Sequence, residues 1–176
     1  MHIVIDGYNL IRQSERFRSA ERAGLEAGRN RLLETLSEYN KTNSHRITVV
    51  FDGWQDGSPH EEQFRRDGID IVYSRKGEPA DDVIKRMTRQ VDREILVVTS
   101  DRDIASTVTK AGGVALSSIQ FELKLLEGAS RKPDPEDYLD DEKGEEAEVV
   151  ITTRKKGPAR KLSRRERKMR QVVKKL

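Results

Sequence analysis

His2-Ile3-Val4-Ile5-Asp6-Gly7-Tyr8-Asn9 sets a run of β-branched apolar residues directly against an aspartate, a glycine and a Tyr-Asn pair. The pattern returns in Ile47-Thr48-Val49-Val50-Phe51-Asp52-Gly53 and in Ile95-Leu96-Val97-Val98-Thr99-Ser100-Asp101. Near-continuous apolar runs of this length suit strands buried on both faces of a parallel sheet. Ile69-Asp70-Ile71-Val72-Tyr73 alternates and reads as a more exposed strand, and Val114-Ala115-Leu116 as a weaker one. Between them, Leu25, Leu32, Leu33, Leu36 and Tyr39 share one face of a helix from about Ser19 to Tyr39. Ala80, Val83, Ile84, Met87 and Val91 do the same for a second helix. Further helices are predicted after Asp101, through Ile104, Ala105 and Val108, and after Ser118, through Phe121, Leu123, Leu125 and Leu126. Strands alternating with helices imply βαβ units and an α/β fold with a mostly parallel central sheet.

Charge divides the chain. Of 176 residues, 37% are charged and 34% hydrophobic, so an apolar core has to be concentrated in part of the sequence. Residues 1–133 carry 21 basic and 21 acidic side chains and balance at zero. Residues 134–148 hold nine acids against Lys143, a net of −8, and residues 149–176 hold twelve basic residues against Glu166, a net of +11. We therefore expect a domain over residues 1–131, an acidic disordered linker over 132–148 and a basic tail over 149–176. In the tail, Ser163 and Glu166 have the spacing of a capping box for a short helix from Arg164 to Lys175. Its apolar residues, Met169, Val172, Val173 and Leu176, are too few to fold alone. No stretch approaches the roughly 20 apolar residues of a membrane span, and the start lacks the pattern of a signal peptide, so a soluble, cytoplasmic protein with no membrane partner is expected. Without cysteine, any metal has to bind oxygen or one of three scattered histidines, His2, His45 and His60.

In an open α/β sheet, ligands bind beyond the carboxyl ends of the strands. Three predicted strands deliver Asp6, Asp52 and Asp101 to that edge, and Asp81-Asp82 opens a helix beside them. Each aspartate alone also reads as a turn or cap residue. Together, like charges converging on one end of a sheet repel, and the simplest compensation is a bound cation. Hard oxygen donors select Mg²⁺ or Mn²⁺. The helical phase puts Asp81 on the flank of the apolar stripe and Asp82 nearly opposite, so Asp81 is the better ligand and Asp82 a cap or a supporting group. Asp103 is either a further ligand or the cap of the helix beginning near Ile104. Such a site suits phosphodiester hydrolysis. Asn9 would orient a water or a phosphate oxygen, while Lys76, Arg75 and Arg102 in neighbouring loops would hold the substrate backbone. Glu78 reads as a solvated loop charge, and Arg22, Arg29 and Arg31 as a solvated helix face. The chain has no P-loop pattern.

The blocks Ile3–Asn9, Val49–Gly53, Ala80-Asp81-Asp82 and Val98–Asp103 resemble, in order and spacing, the YacP-like branch of the NYN domains, within the PIN-like nuclease superfamily. The resemblance covers about residues 1–130 and leaves the tail outside. It implies a PIN-like three-layer α/β/α sandwich and metal-dependent endoribonuclease activity. It carries the family's first aspartate onto Asp6, its Tyr-Asn onto Tyr8 and Asn9, its mid-chain acidic position onto Asp81 with Asp82 beside it, and its late aspartate onto Asp101. Asp103 follows less directly, and Asp52 shapes the site.

Tyr8 and Trp54 sit beside Asp6 and Asp52 on the same edge, where either could stack on an unpaired base, although Tyr8 reads equally well as a packing residue. In the tail, Arg154, Lys155, Lys156, Arg160, Lys161, Arg164, Arg165, Arg167 and Lys168 form a good polyanion ligand, with RNA, and ribosomal RNA in particular, as the candidate partner. The alternative to an enzyme is a non-catalytic RNA- or ribosome-binding adaptor that retains the acidic pocket. Oligomeric state is left open.

Overall fold

Ile3, Val4 and Ile5 are fully buried, so the strand that carries them needs a neighbour on each edge and a layer on each face. The computed structural model, which describes residues 1–53, 58–90, 94–130 and 163–176, provides all four. The strands are β1 (His2–Asp6), β2 (Arg46–Phe51), β3 (Glu62–Arg66), β4 (Ile69–Tyr73), β5 (Ile95–Val98) and β6 (Val114–Leu116). They form one sheet in the order β3-β4-β2-β1-β5-β6. β1 pairs in parallel with β2 on one side and β5 on the other, and among the described strands only β3, which pairs with β4, runs antiparallel.

Among the described residues seven helices accompany the sheet: α1 (Gly7–Gln13), α2 (Glu15–Glu21), α3 (Leu25–Asn43), α4 (Ala80–Gln90), α5 (Arg102–Lys110), α6 (Ser118–Ser130) and α7 (Arg164–Val173). Strand alternation sorts the core into two halves. Ile3, Ile5, Val49, Phe51, Leu96 and Val98 pack with α1, α2, α3, α6 and α7 through Leu10, Phe17, Leu32, Leu36, Phe121 and Val172. Val4, Val50, Val72 and Val97 pack with α4 and α5 through Val83, Ile84, Ile104 and Val108. This is the expected three-layer α/β/α sandwich. The chain builds outward from β1 to β2 and β4, then returns to lay β5 against β1, so the strand order reverses between β1 and β5. That reversal opens the crevice in which Asp6 and Asp101 stand. Among the described residues no helix is long and apolar enough to cross a membrane.

Four expectations need correction. The long helix predicted from Ser19 is two helices, because Gly24, at φ 140°, takes a backbone conformation no helix contains, and Leu25 just after it is exposed. β3 has no counterpart among the predicted elements: Glu62-Gln63-Phe64-Arg65-Arg66 is exposed throughout and has no apolar pattern, and it is a strand because its backbone pairs with β4. That pairing makes β4 an internal strand rather than an exposed one. Leu123 and Leu126, predicted to face the core, are exposed on α6, and the acidic segment 132–148 lies outside the described residues.

The end of the basic tail belongs to the core. Ser163 and Glu166 form the expected reciprocal capping box at the start of α7. Met169, Val173 and Leu176 pack on the larger core half around a fully buried Val172. The Tyr39 hydroxyl donates to the Leu176 carbonyl at 2.9 Å, and Lys175 Nζ reaches Glu94 at 2.7 Å. Apolar residues too few to fold alone thus dock on a surface already built by β6, α6 and α3. Val172→Ala should lower unfolding free energy in urea by about 2 kcal/mol, whereas Arg167→Ala, on the exposed face of α7, should stay within about 0.5 kcal/mol. Equal, small effects would mean that α7 does not dock.

Candidate active site

Asp6 is the last residue of β1 and the N-cap of α1. Its Oδ1 accepts the Asn9 N–H at 3.1 Å, and the Thr99 hydroxyl donates to its Oδ2 at 3.5 Å. Gly7 lets the chain turn there, because a Cβ at this position would run into the ring of Phe51 at the end of β2. The close approach draws the end of β1 against that of β2 and brings Asp52 near. Only 8% of Asp6 is exposed. Burial, with the charges of Asp81 and Asp52 adding to it against the Asn9 N–H, pushes its carboxyl up to about 6.

Each neighbouring aspartate is held by a helix start. Asp52 Oδ1 accepts the Ala80 N–H at 2.6 Å and so caps α4 from across the sheet edge. That helix presents Asp81, half-buried, with its carboxyl raised by burial and by the charges of Asp101, Asp52 and Asp82, against the opposing effect of Lys85. Asp82 points to solvent, as the helical phase indicates. Asp101 caps α5, its Oδ1 accepting the N–H groups of Asp103 at 2.7 Å and Ile104 at 3.0 Å. Its own N–H donates to Thr99 Oγ1 at 3.1 Å, so one buried threonine hydroxyl ties Asp101 to Asp6.

Other expected site residues take different places. Asp103 is turned outward, 75% exposed, and its carboxyl is held below the usual range by the Lys85 ammonium that bonds to it. Asn9 is a strut: its Oδ1 accepts from the Ser100 N–H at 3.0 Å and from Ser118 Oγ at 2.9 Å, joining α1 to the loop after β5 and to the start of α6. Its carbonyl oxygen is thereby committed, and only the amide nitrogen is left to meet a ligand. Tyr8 packs edge-on against Phe51 at 5.2 Å while its hydroxyl accepts from Arg29 at 3.0 Å. Arg29 is therefore not part of a solvated stripe, although Arg22 and Arg31 are exposed. Glu78 is not a solvated loop charge either. It is largely buried and takes Arg86 at 2.5 Å and Arg75 at 3.2 Å, fastening the loop before α4. Lys76 and Arg102 are exposed beside the edge. In α7, Arg167 is exposed, and Lys168 donates to the Gly112 carbonyl. Trp54, Arg154, Lys155, Lys156, Arg160 and Lys161 lie outside the described residues, as do the side chains of Arg164 and Arg165.

Sequence reasoning missed Thr99 and Lys85. Lys85 had a signal, since it stands one helical turn after Asp81, on the same face. Thr99 had none beyond its place at the end of β5. His2 bonds to Thr48 and His45 to the Lys175 carbonyl, both away from this edge. Among the described residues no three His, Asp or Glu side chains stand close enough to cage an ion. Mg²⁺ does not require that, as it is commonly bound by one or two carboxylates, with waters and substrate phosphate completing its shell. The mutually repelling Asp6 and Asp81 carboxylates suit such a partial set.

The family described as the YacP-like NYN domain matches residues 3–172, which extends beyond the residue-130 limit read from the motifs and reaches into α7. An uncharacterized protein YacP of Bacillus subtilis (strain 168) is 24% identical over 102 residues, 56% of this chain and 59% of that protein's length. The crystal structure of Rae1 (YacP) from Bacillus subtilis superposes with a TM-score of 0.62 at 20% identity, covering 74% of this chain and 76% of that one. A mutant of the same protein gives a TM-score of 0.61.

Asp6 supplies a pH test. Because its folded-state pKa is raised, its contribution to stability is fully present below about pH 4 and is lost as pH rises through about 6. Asp6→Asn should therefore stabilise the metal-free protein near neutral pH by up to about 3 kcal/mol, the cost of ionising a carboxyl that folding raises from 3.8 to about 6, with the gain vanishing towards pH 4. Urea unfolding at a series of pH values reads this directly. A gain independent of pH would rule out a buried, charged Asp6.

Proposed function

The chain belongs to the YacP-like NYN domain family, whose domain is nuclease-like, and from that premise we propose that it is an endoribonuclease dependent on Mg²⁺ or Mn²⁺. The observation that carries the proposal is the convergence of Asp6, Asp52, Asp81 and Asp101 on the crevice between β1 and β5, where burial and mutual repulsion raise both Asp6 and Asp81. Asp6 and Asp81 would hold the ion through carboxylate oxygens, and Asp101, whose Oδ1 is engaged in capping α5, would reach it through a water held by its Oδ2. An ion there would lower the pKa of an attacking water and offset charge growing on the phosphate. Asp52 fixes Asp81 by starting α4, and Thr99 keeps Asp6 and Asp101 together. Asn9 holds the surrounding loops and turns its amide nitrogen to a phosphate oxygen or a water. Lys76 and Arg102 meet the substrate backbone. The basic residues of 149–176 bind RNA through its phosphates, with ribosome-associated RNA as the candidate target.

One observation favours the adaptor reading, namely that among the described residues no three potential ligands form a ready cage. Cleavage of single-stranded RNA with and without ribosomes, in Mg²⁺, Mn²⁺ or chelator, separates the two. Asp6→Asn, Asp81→Asn and Asp101→Asn should each lower the rate by at least about 100-fold. Asp103→Asn, which loses only an exposed ion pair, should change it by less than about fivefold. Mg²⁺ should also raise the melting temperature of the wild type and leave that of Asp6→Asn unchanged. No cleavage under any condition, or cleavage that survives Asp6→Asn, would select the adaptor.

A further inference from the structure

Phe64 is a large apolar side chain, 54% exposed, in the middle of an edge strand whose other residues are charged or amide-bearing. Exposed edge strands normally avoid such a side chain, because it invites pairing with other chains. Its register explains where it faces. Phe64 pairs with Ile71 and Glu62 with Tyr73, so Phe64 and Tyr73 stand on the α3 side of the sheet. There the rings run in series: Phe64 meets Tyr73 edge-on at 6.1 Å, Tyr73 stacks on Phe51 at 5.6 Å, and Phe51 meets Tyr8 at 5.2 Å. Two guanidinium groups clasp the series. Arg29 lies 5.7 Å from the Tyr73 ring centre while donating to the Tyr8 hydroxyl, and Arg12 lies 5.6 Å from the Tyr8 ring. A third, Arg66, bonds to Asn30 Oδ1 on the same side of β3.

We propose that Phe64, Tyr73 and Tyr8, with Arg12 and Arg29, form a stacking platform for the unpaired bases of a single-stranded RNA that leads to the carboxylate edge. The proposal rests on the endoribonuclease reading for its substrate class and adds how that substrate is recognised. Rings already held in place by one another and by two cations lose little conformational freedom when a base stacks on them. Aromatic faces accept any base, and flanking guanidinium groups hold the backbone, which is the combination that binds single strands without reading sequence. The series ends at Tyr8, two residues after Asp6, so a strand lying on it is delivered to the proposed site of cleavage. A protein partner would find a less favourable surface. Glu26 and Glu62 act on Tyr73 alongside Arg29, leaving a small apolar area interrupted by charges of both signs.

The test measures binding of a fluorescein-labelled single-stranded RNA of about 12 nucleotides to the full chain in chelator, so that no cleavage intervenes. Phe64→Ala should weaken binding by about fivefold to 100-fold, and Phe64→Trp should preserve it. For the same RNA as a duplex, or with abasic sites replacing the bases, wild type and Phe64→Ala should bind alike. Because Phe64 is half-exposed, both variants should melt as the wild type does, and Phe64→Trp guards against a folding artefact. Binding unchanged in Phe64→Ala, with cleavage intact, overturns the platform and leaves the nuclease reading standing. Weakened single-strand binding in a protein that cleaves nothing in any metal supports the platform and removes the nuclease. A concentration-dependent dimer that Phe64→Ala dissociates, with RNA binding unchanged, makes this face a protein interface and overturns the proposal.

Discussion

Asp6 cannot move. Its strand is paired on both edges and covered on both faces, so the carboxylate at its end stays in a crevice where little water reaches it and other aspartates surround it. Keeping such a group charged is costly in a medium of low polarity, and the nearby carboxylates raise the cost further. The fold offsets part of it with backbone N–H groups. Asp6 takes one from Asn9, Asp52 one from Ala80, and Asp101 two from Asp103 and Ile104. Three helices therefore begin on the side chains that repel one another, and the architecture cannot be altered at those points without altering the site.

The charges around the edge are sorted by distance from it. Lys85 binds Asp103 at the surface, while Arg86 joins Glu61 to Glu78 and Arg75 adds to Glu78. These pairs fasten the loop ahead of α4 and settle the angle at which Asp81 enters. Inside that fence, burial and like charge hold the carboxyls of Asp6 and Asp81 above the usual range, with Lys85 offsetting part of the rise at Asp81. On the other side of the sheet, Arg29 bridges Tyr8 and Tyr73, so the same edge carries acids towards α4 and aromatic rings towards α3.

Much of this was legible from β-branched runs ending in aspartate. A strand buried on both faces has to be apolar at every position, and its first polar residue marks where it leaves the sheet, so Asp6, Asp52 and Asp101 could be placed on one edge without coordinates. Helical phase similarly separated Asp81 from Asp82. The failures share a cause. β3 has no apolar signature because it is exposed throughout among the described residues, and its structure comes from hydrogen bonds to β4. Glu78 and Arg29 looked solvated because their partners, Arg86 and Tyr8, lie in other elements.

The sequence by itself determined the fold class, the edge of the sheet that carries the aspartates and the capping box of the last helix, because each depends on residues close together in the chain. Tertiary structure decided that α7 packs on the core instead of hanging from a basic tail, that Asn9 is a strut between α1 and α6, and that Thr99 ties Asp6 to Asp101. Those outcomes depend on contacts between residues about a hundred positions apart. A side chain's local pattern states what it can bond to, and only the crossing of distant elements chooses its partner.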